Sequence, residues 1–279
     1  MSMVVNTNVM SLVAQTNLNN TSVKLNKAIT QLSSGLRINS AMDDPAGLAI
    51  ATSMQAQVNG MNQGVVNANA AISAAQVADG AMGSVVNMLQ QMRTLAVEAA
   101  NGTNSGSGDT NLQAEFAQLA TQIGNTLSNT QFNGINVFSQ GTAIVYQVGA
   151  NKGDTVSAGT NTLSTDTTIT NLASTSSVSI GTTTAANNAI TSIDSALNKV
   201  TGQMATNGAY EIQFQQIVNA QQINSQNTAA AVSQIMDTNY AQATSELTQA
   251  QIVQQAGSAM LAQANLVPQS VLTLLSKLP

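Results

Sequence analysis

The sequence predicts a mainly α-helical fold: a long antiparallel helical bundle or coiled-coil rod formed by both chain ends, with a β-hairpin and a small, β-rich insert. Three observations predict it. Both ends repeat small and apolar residues at alternating four- and three-residue steps, the seam spacing of packed helices. Between Pro45 and Pro268 there is no proline to break a helix. From Thr142 to Thr184, 18 of 43 residues are serine or threonine, and the helical period lapses there.

Each element can be justified in turn. The first helix carries Leu18, Ser22, Leu25, Ile29, Leu32 and Leu36 on its seam, and Gly35 interrupts it. The last helix carries Ala243, Leu247, Ala250, Gln254, Gly257, Leu261 and Ala264. Its smaller residues would face the leucines of the first, the large-against-small pairing that lets two helices interdigitate. The two ends could pack on each other or each on another chain. From Pro45 to about Ala100 one helix is predicted, about 85 Å long at ~1.5 Å per residue. Gly60, Gly64, Gly80 and Gly83 lie within it, each costing about 1 kcal/mol against alanine and allowing a close contact or a bend. "NGTNSGSGDT", Asn101 to Thr110, reads as a loop. Asp109 or Thr110 would cap a helix from Asn111 to about Ser128, with Leu112, Phe116, Leu119, Ile123 and Leu127 on one face.

"TQFNGINVF" and "AIVYQVG" then read as two strands joined by the turn "SQGT". The Ser/Thr-rich stretch after them is either a small β subdomain or a flexible excursion, inserted into a helical body. A helical pattern returns from Ala185 to about Met236, with Ile190, Ile193, Leu197 and Val200, then Ile212, Ile217, Ile223, Val232 and Ile235.

Composition excludes much chemistry. The 279 residues include 43% apolar but only 7% charged ones, where about a quarter is usual. Amides and hydroxyls replace the charges, so the surface can pack against a copy of itself with little repulsion. The net charge of −5 is without a basic patch, which argues against nucleic acid and membrane as partners. With no cysteine and no histidine, thiol catalysis, disulfides and the common zinc and haem ligand sets are excluded. No apolar run reaches the ~18 residues of a membrane span. "MSMVVNTNVMSLVAQ" lacks the basic and apolar blocks of a secretory signal peptide.

A catalytic constellation is not visible either. Asp43 and Asp44 are adjacent and diverge; Glu98 and Glu115 have neither base nor nucleophile beside them. The chain reads as a non-enzyme without cofactor or metal. "LSSGLRINSAMDDPAGLAIA", Leu32 to Ala51, reads as a joint between helices. Gly35 would end the first as a left-handed cap, Asp44 would cap the second, and Pro45 would occupy its first turn. Arg37 is close enough in sequence to pair with Asp43 or Asp44. A metal loop is disfavoured, since Ca²⁺ takes about 6–8 oxygens and two carboxylates are present.

These residues resemble a known family. "VNTNVMSLVAQTNL", "LSSGLRINSAMDDPAGLAIA", "LQQMRTLAVEAANGT", "TQFNGINVF" and "NYAQATSELTQAQIVQQAGSAMLAQANLVPQSVLTLL" are similar to blocks of bacterial flagellin. The resemblance covers all but about Ala143 to Thr184. It implies a subunit that polymerises into the flagellar filament, with a hook–filament junction protein as the alternative. It also implies nested layers: residues 1–42 with 237–279 innermost, 43–149 with 185–236 as a helical rod with hairpin, and 150–184 as a small, surface-exposed variable insert. Inner-layer packing would fall to Leu18, Leu25, Ile29, Leu32, Leu36, Leu247 and Leu261. The joint between layers would comprise Gly35, Arg37, Asp43, Asp44 and Pro45.

The implied partners are further copies of the chain, an export chaperone on the C-terminal helix, and hook-associated and cap proteins. Export would be unfolded, through the flagellar type III apparatus, to an extracellular flagellum. A contact with Toll-like receptor 5 is implied at Gln91, Arg93, Leu95 and Glu115. It is weakened because Gln91 stands where family members usually have a basic residue. The Ser/Thr-rich insert suits either O-glycosylation or a plain polar surface.

Overall fold

A computed structural model describes residues 7–103, 107–139, 143–158, 162–174 and 178–275. Its helices are α1 (Val9–Ser34), α2 (Pro45–Ala99), α3 (Ser107–Asn129), α4 (Thr167–Ala173), α5 (Thr183–Met236) and α6 (Tyr240–Leu275). Its strands are β1 (Gln131–Phe132), β2 (Ile135–Asn136), β3 (Ile144–Gln147) and β4 (Thr155–Ala158). The chain forms two compact units, Met1–Gln55 with Asn227–Pro279, and Ala56–Gln226.

In the first unit α1 packs along α6. The seven seam positions read from the sequence of α6, from Ala243 to Ala264, are its buried and half-buried positions. Gly257 explains how the helices close: a methyl group there would already touch the Leu18 side chain, at 3.4 Å. On α1 the seam differs by one position from the expected one. Leu18, Leu25 and Leu32 are half-buried as expected, but Thr21 and Ala28 are buried where Ser22 and Ile29 were expected, and Ile29 is 48% exposed. The inner-face assignment of Ile29 is therefore corrected within this chain. Thr21 and Ala28 are small enough to let α6 approach, and the Thr21 hydroxyl donates to the Asn17 carbonyl at 2.8 Å instead of staying unsatisfied.

The second unit holds the larger core. Met82, Val85, Leu89, Met92 and Ala96 of α2 meet Phe116, Ile123 and Leu127 of α3, and Ala189, Ile193, Ala196 and Val200 of α5. The apolar face predicted for α3 is the one it buries. Further along α5 the expectation needs correction. Phe214, Val218 and Ser225 are buried there, whereas Ile212 and Ile223 stand 66% and 58% exposed. Position along the helix, more than hydrophobicity, decides which residues face α2.

The hairpin is also rearranged. "TQFNGINVF" is not one strand but a hairpin by itself: β1 pairs with β2 across Asn133 and Gly134, whose φ values are 50° and 77°. Two residues with positive φ make the Asn-Gly turn whose twist suits a two-residue hairpin. β3 pairs antiparallel with β4, from Ile144 opposite Ala158 to Gln147 opposite Thr155. The expected partner of "AIVYQVG" is thus replaced by "TVSA" within the insert, and the "SQGT" turn falls largely outside the described residues. The β3–β4 loop lies against α2 at Gly60 and Gly64. An added methyl at Gly60 would come within 2.7 Å of the Ala150 side chain.

The insert also holds a helix the sequence reading did not anticipate. Asp166 caps α4 by accepting from the Thr168 backbone N–H at 2.9 Å, and Lys199 of α5 pairs with it at 3.0 Å. Ile169 and Leu172 of α4 are fully buried, stabilising the insert by about 1.5–3 kcal/mol each.

Candidate assembly surface

The joint is built from the bottom of α1 outward. Gly35 sits at φ 74°, and its N–H donates to the Gln31 carbonyl at 2.9 Å. Gly35 has no Cβ, so it adopts this left-handed cap without the penalty other residues meet. The Tyr240 hydroxyl would lie 3.1 Å from a Cβ there. Two antiparallel backbone bonds follow: the Arg37 N–H donates to the Met236 carbonyl at 2.6 Å, and the Thr238 N–H to the Gly35 carbonyl at 2.9 Å. The outgoing chain is thereby tied to the returning one. Asn239 then caps α6, its side chain accepting from the Ala241 N–H at 3.1 Å.

At the start of α2, Asp44 accepts from the Gly47 N–H at 2.9 Å, and Pro45 opens the helix where no backbone donor is needed. The predicted ion pair of Arg37 with these aspartates does not form. Its guanidinium donates to the Ile235 carbonyl at 2.6 Å, and Asp43 pairs with Lys27 at 3.1 Å. A carbonyl in the last turn of α5, with its share of the negative helix end, satisfies Arg37. Lys27 holds Asp43 below the usual carboxylate range, assisted by the backbone N–H groups of Asn39 and Ser40. Lys27 was missed because it lies 16 residues before its partner in the sequence. Asn239 could have been found from "DTN" directly before a helical run, a cluster of capping residues. A groove of about 380 Å³ follows the joint, lined by charged and amide side chains that include Lys27, Arg37, Asp43 and Glu246.

Away from their shared face, α1 and α6 are strongly apolar. On α1, Val9, Met10, Leu12, Val13 and Val23 are 55–67% exposed. On α6, Ile252, Met260 and Leu266 are 53–63% exposed. A solvated monomer has little use for large side chains along both helices; such surface marks a contact with another molecule. Leu36, Leu247 and Leu261 are half-buried between the helices.

In the second unit, Gln91, Arg93 and Glu115 are exposed and Leu95 is 8% exposed within the core. Arg93 is held by Asp194 of α5 at 2.8 Å, which raises its pKa. Leu89, Met92 and Ala96 beside them are fully buried, so this stretch of α2 is first a packing face. Among the described residues no group of three or more acids, histidines or cysteines could hold a metal, and no helix is long and apolar enough to cross a membrane.

Two family models match the chain: the bacterial flagellin N-terminal helical region over residues 5–143, and the bacterial flagellin C-terminal helical region over residues 190–275. The chain belongs to the bacterial flagellin family. Flagellin FlaB1 of Treponema pallidum is 35% identical over 98% of this chain and 100% of its own length. A flagellin of Salmonella muenchen is 49% identical over 56% of this chain and 31% of its own length. A solved structure assigned to a flagellar hook-associated protein of Vibrio parahaemolyticus covers 70% of this chain with a TM-score of 0.59 at 16% identity, a likeness of fold alone. This flagellin is a structural subunit of the flagellar filament, and further copies of itself are its partners. The junction-protein alternative is not favoured.

Proposed function

We propose that the uncovered apolar faces of α1 and α6 are the main filament contact, and that the flagellin polymerises by burying them between copies. The carrying observation is the run of large side chains more than half exposed on both helices, in a unit with few charges to oppose association. A repeated head-to-tail contact that does not close gives an open helical polymer. In that polymer residues 1–42 and 237–279 form the inner layer. Residues 43–149 and 185–236 form the helical rod, and 150–184 the exposed insert. Gly35, Arg37, Asp43, Asp44 and Pro45 set the joint between inner layer and rod.

The protein is not an enzyme. It leaves the cell unfolded through the flagellar type III apparatus and functions in an extracellular filament. An export chaperone holds the α6 region before export, and cap and hook-associated proteins bound the finished polymer. Toll-like receptor 5 meets Gln91, Arg93 and Glu115 weakly, since Arg93 is occupied by Asp194.

Seeded growth tests the reading. Purified monomer added to sonicated filament fragments should extend them, and Val23→Asp or Ile252→Asp should abolish extension while leaving the second unit's melting unchanged. Normal extension by both variants would overturn it.

A further inference from the structure

Met42 is 94% exposed, the highest value among the described large hydrophobic residues; Val23 follows at 67%. A single exposed methionine is ordinary on a protein surface. This one is held out by a turn whose every neighbour is fixed. The Asp43 N–H donates to the Ser40 carbonyl at 3.0 Å and closes the turn around it. The Asp43 carboxylate accepts from the backbone N–H groups of Asn39 and Ser40 at 3.3 and 3.2 Å, and from Lys27 at 3.1 Å. On the far side Asp44 caps α2. A flexible, polarisable thioether on a rigid turn has little order left to lose on binding, which suits an interface anchor.

Resting on the filament reading above, we infer that Met42 is such an anchor, and that a second copy of this chain covers its side chain on assembly. A second copy is the favoured occupant because Met42 belongs to the same compact unit as the uncovered faces of α1 and α6, and so continues that contact.

Peroxide footprinting tests this on the full chain. Monomer and pelleted filament are oxidised in parallel, and sulfoxide at each methionine is read by mass spectrometry. Met92, fully buried, serves as the internal control that stays unmodified in both. Met42 should react readily in the monomer and about tenfold more slowly in the filament. Equal rates in both would overturn the inference while leaving the filament reading intact. If wild-type monomer forms no filament, the pellet shows it before peroxide is added, and both readings fall together.

Cover by another copy is separated from cover within the chain by Met42→Cys, which supplies the chain's sole thiol. A photo-crosslinker on that thiol should yield covalent dimers in filaments and none in dilute monomer; filaments that yield only intrachain adducts would overturn the inference. Met42→Ser should raise the critical concentration for growth about tenfold, the scale of an interface hot spot, and Met42→Leu should restore most of it. A critical concentration unchanged by Met42→Ser would count against an anchor.

Discussion

Gly64 and Gly80 lie on the same helix, yet alanine at each should act in opposite directions. In an exposed helix interior, glycine to alanine gains about 1 kcal/mol. Around Gly80 nothing lies within 4 Å of the added methyl, so Gly80→Ala should gain that amount undiminished. At Gly64 the methyl would fall 2.6 Å from the Val148 carbonyl carbon and nearer still to its oxygen, and 3.1 Å from the Gly149 nitrogen. These are backbone atoms that cannot rotate away. The β3–β4 loop must move off α2, and Val148 with it, which is buried beside Phe214. Overpacking of this kind costs about 1–3 kcal/mol, so the net for Gly64→Ala is a loss of up to about 2 kcal/mol.

At about 2–4 °C per kcal/mol, Gly80→Ala should raise the melting temperature by a few degrees and Gly64→Ala should lower it by a similar amount. Far-UV circular dichroism of dilute monomer reads both. The near-UV tyrosine signal adds a local check, since Tyr146 sits edge-on to Phe214 with ring centroids 5.5 Å apart. A rise for both variants, with the tyrosine signal intact, would refute the close approach of the loop to the helix.

Other expectations follow from the same geometry. Gly35→Ala should destabilise the first unit by about 1–2 kcal/mol, because its φ of 74° strains any other L-residue; unchanged melting would contradict the cap. Phe214→Ala should cost about 3–5 kcal/mol, read from urea midpoints, since the ring is almost fully buried. Burial raises the pKa values of Asp79 and Glu211, and Asp79 raises Glu211 further by like charge. The folded second unit therefore holds these protons more tightly than the unfolded chain, and their stabilising effect, full below the unfolded carboxylate range, is lost as pH rises through the raised values. Glu211→Gln should flatten that dependence, and an unchanged pH profile of melting would contradict it. Asp43 is the opposite case: Lys27 lowers its pKa, so its contribution is present above the model value of 3.8 and lost as pH falls through the lowered one. Lys27→Met should reduce the acid sensitivity of the first unit.

Much of this fold is legible in the sequence because long helices repeat their message. The alternation from Ala243 to Ala264 fixes one face of α6 seven times over, and Pro45 with Asp44 marks the start of α2. On α1 the same alternation gives two registers that share Leu18, Leu25 and Leu32. Choosing Ile29 over Ala28 follows hydrophobicity, but a helix facing alanines and a glycine admits the smaller residue. Ile29, Ile212 and Ile223 are hydrophobic for a neighbour outside the chain, which a reading of one chain counts as core. The hairpin failed for a different reason. Asn133-Gly134 is a strong turn signal, outweighed in the sequence reading by the glycine-bearing "SQGT" a few residues on. At the joint, Arg37, Asp43 and Asp44 are charged neighbours in sequence, yet Arg37 finds a carbonyl 198 residues away. Local spacing carries no record of that distant strand crossing.

The account's central claim is that the terminal helices are the assembly surface. Electron microscopy of filaments grown from the purified chain tests it most directly. It predicts a tubular polymer with α1 and α6 innermost and with Val23, Ile29 and Ile252 covered by neighbouring copies. Filaments in which these side chains face solvent, with subunits joined through the second unit alone, would contradict it.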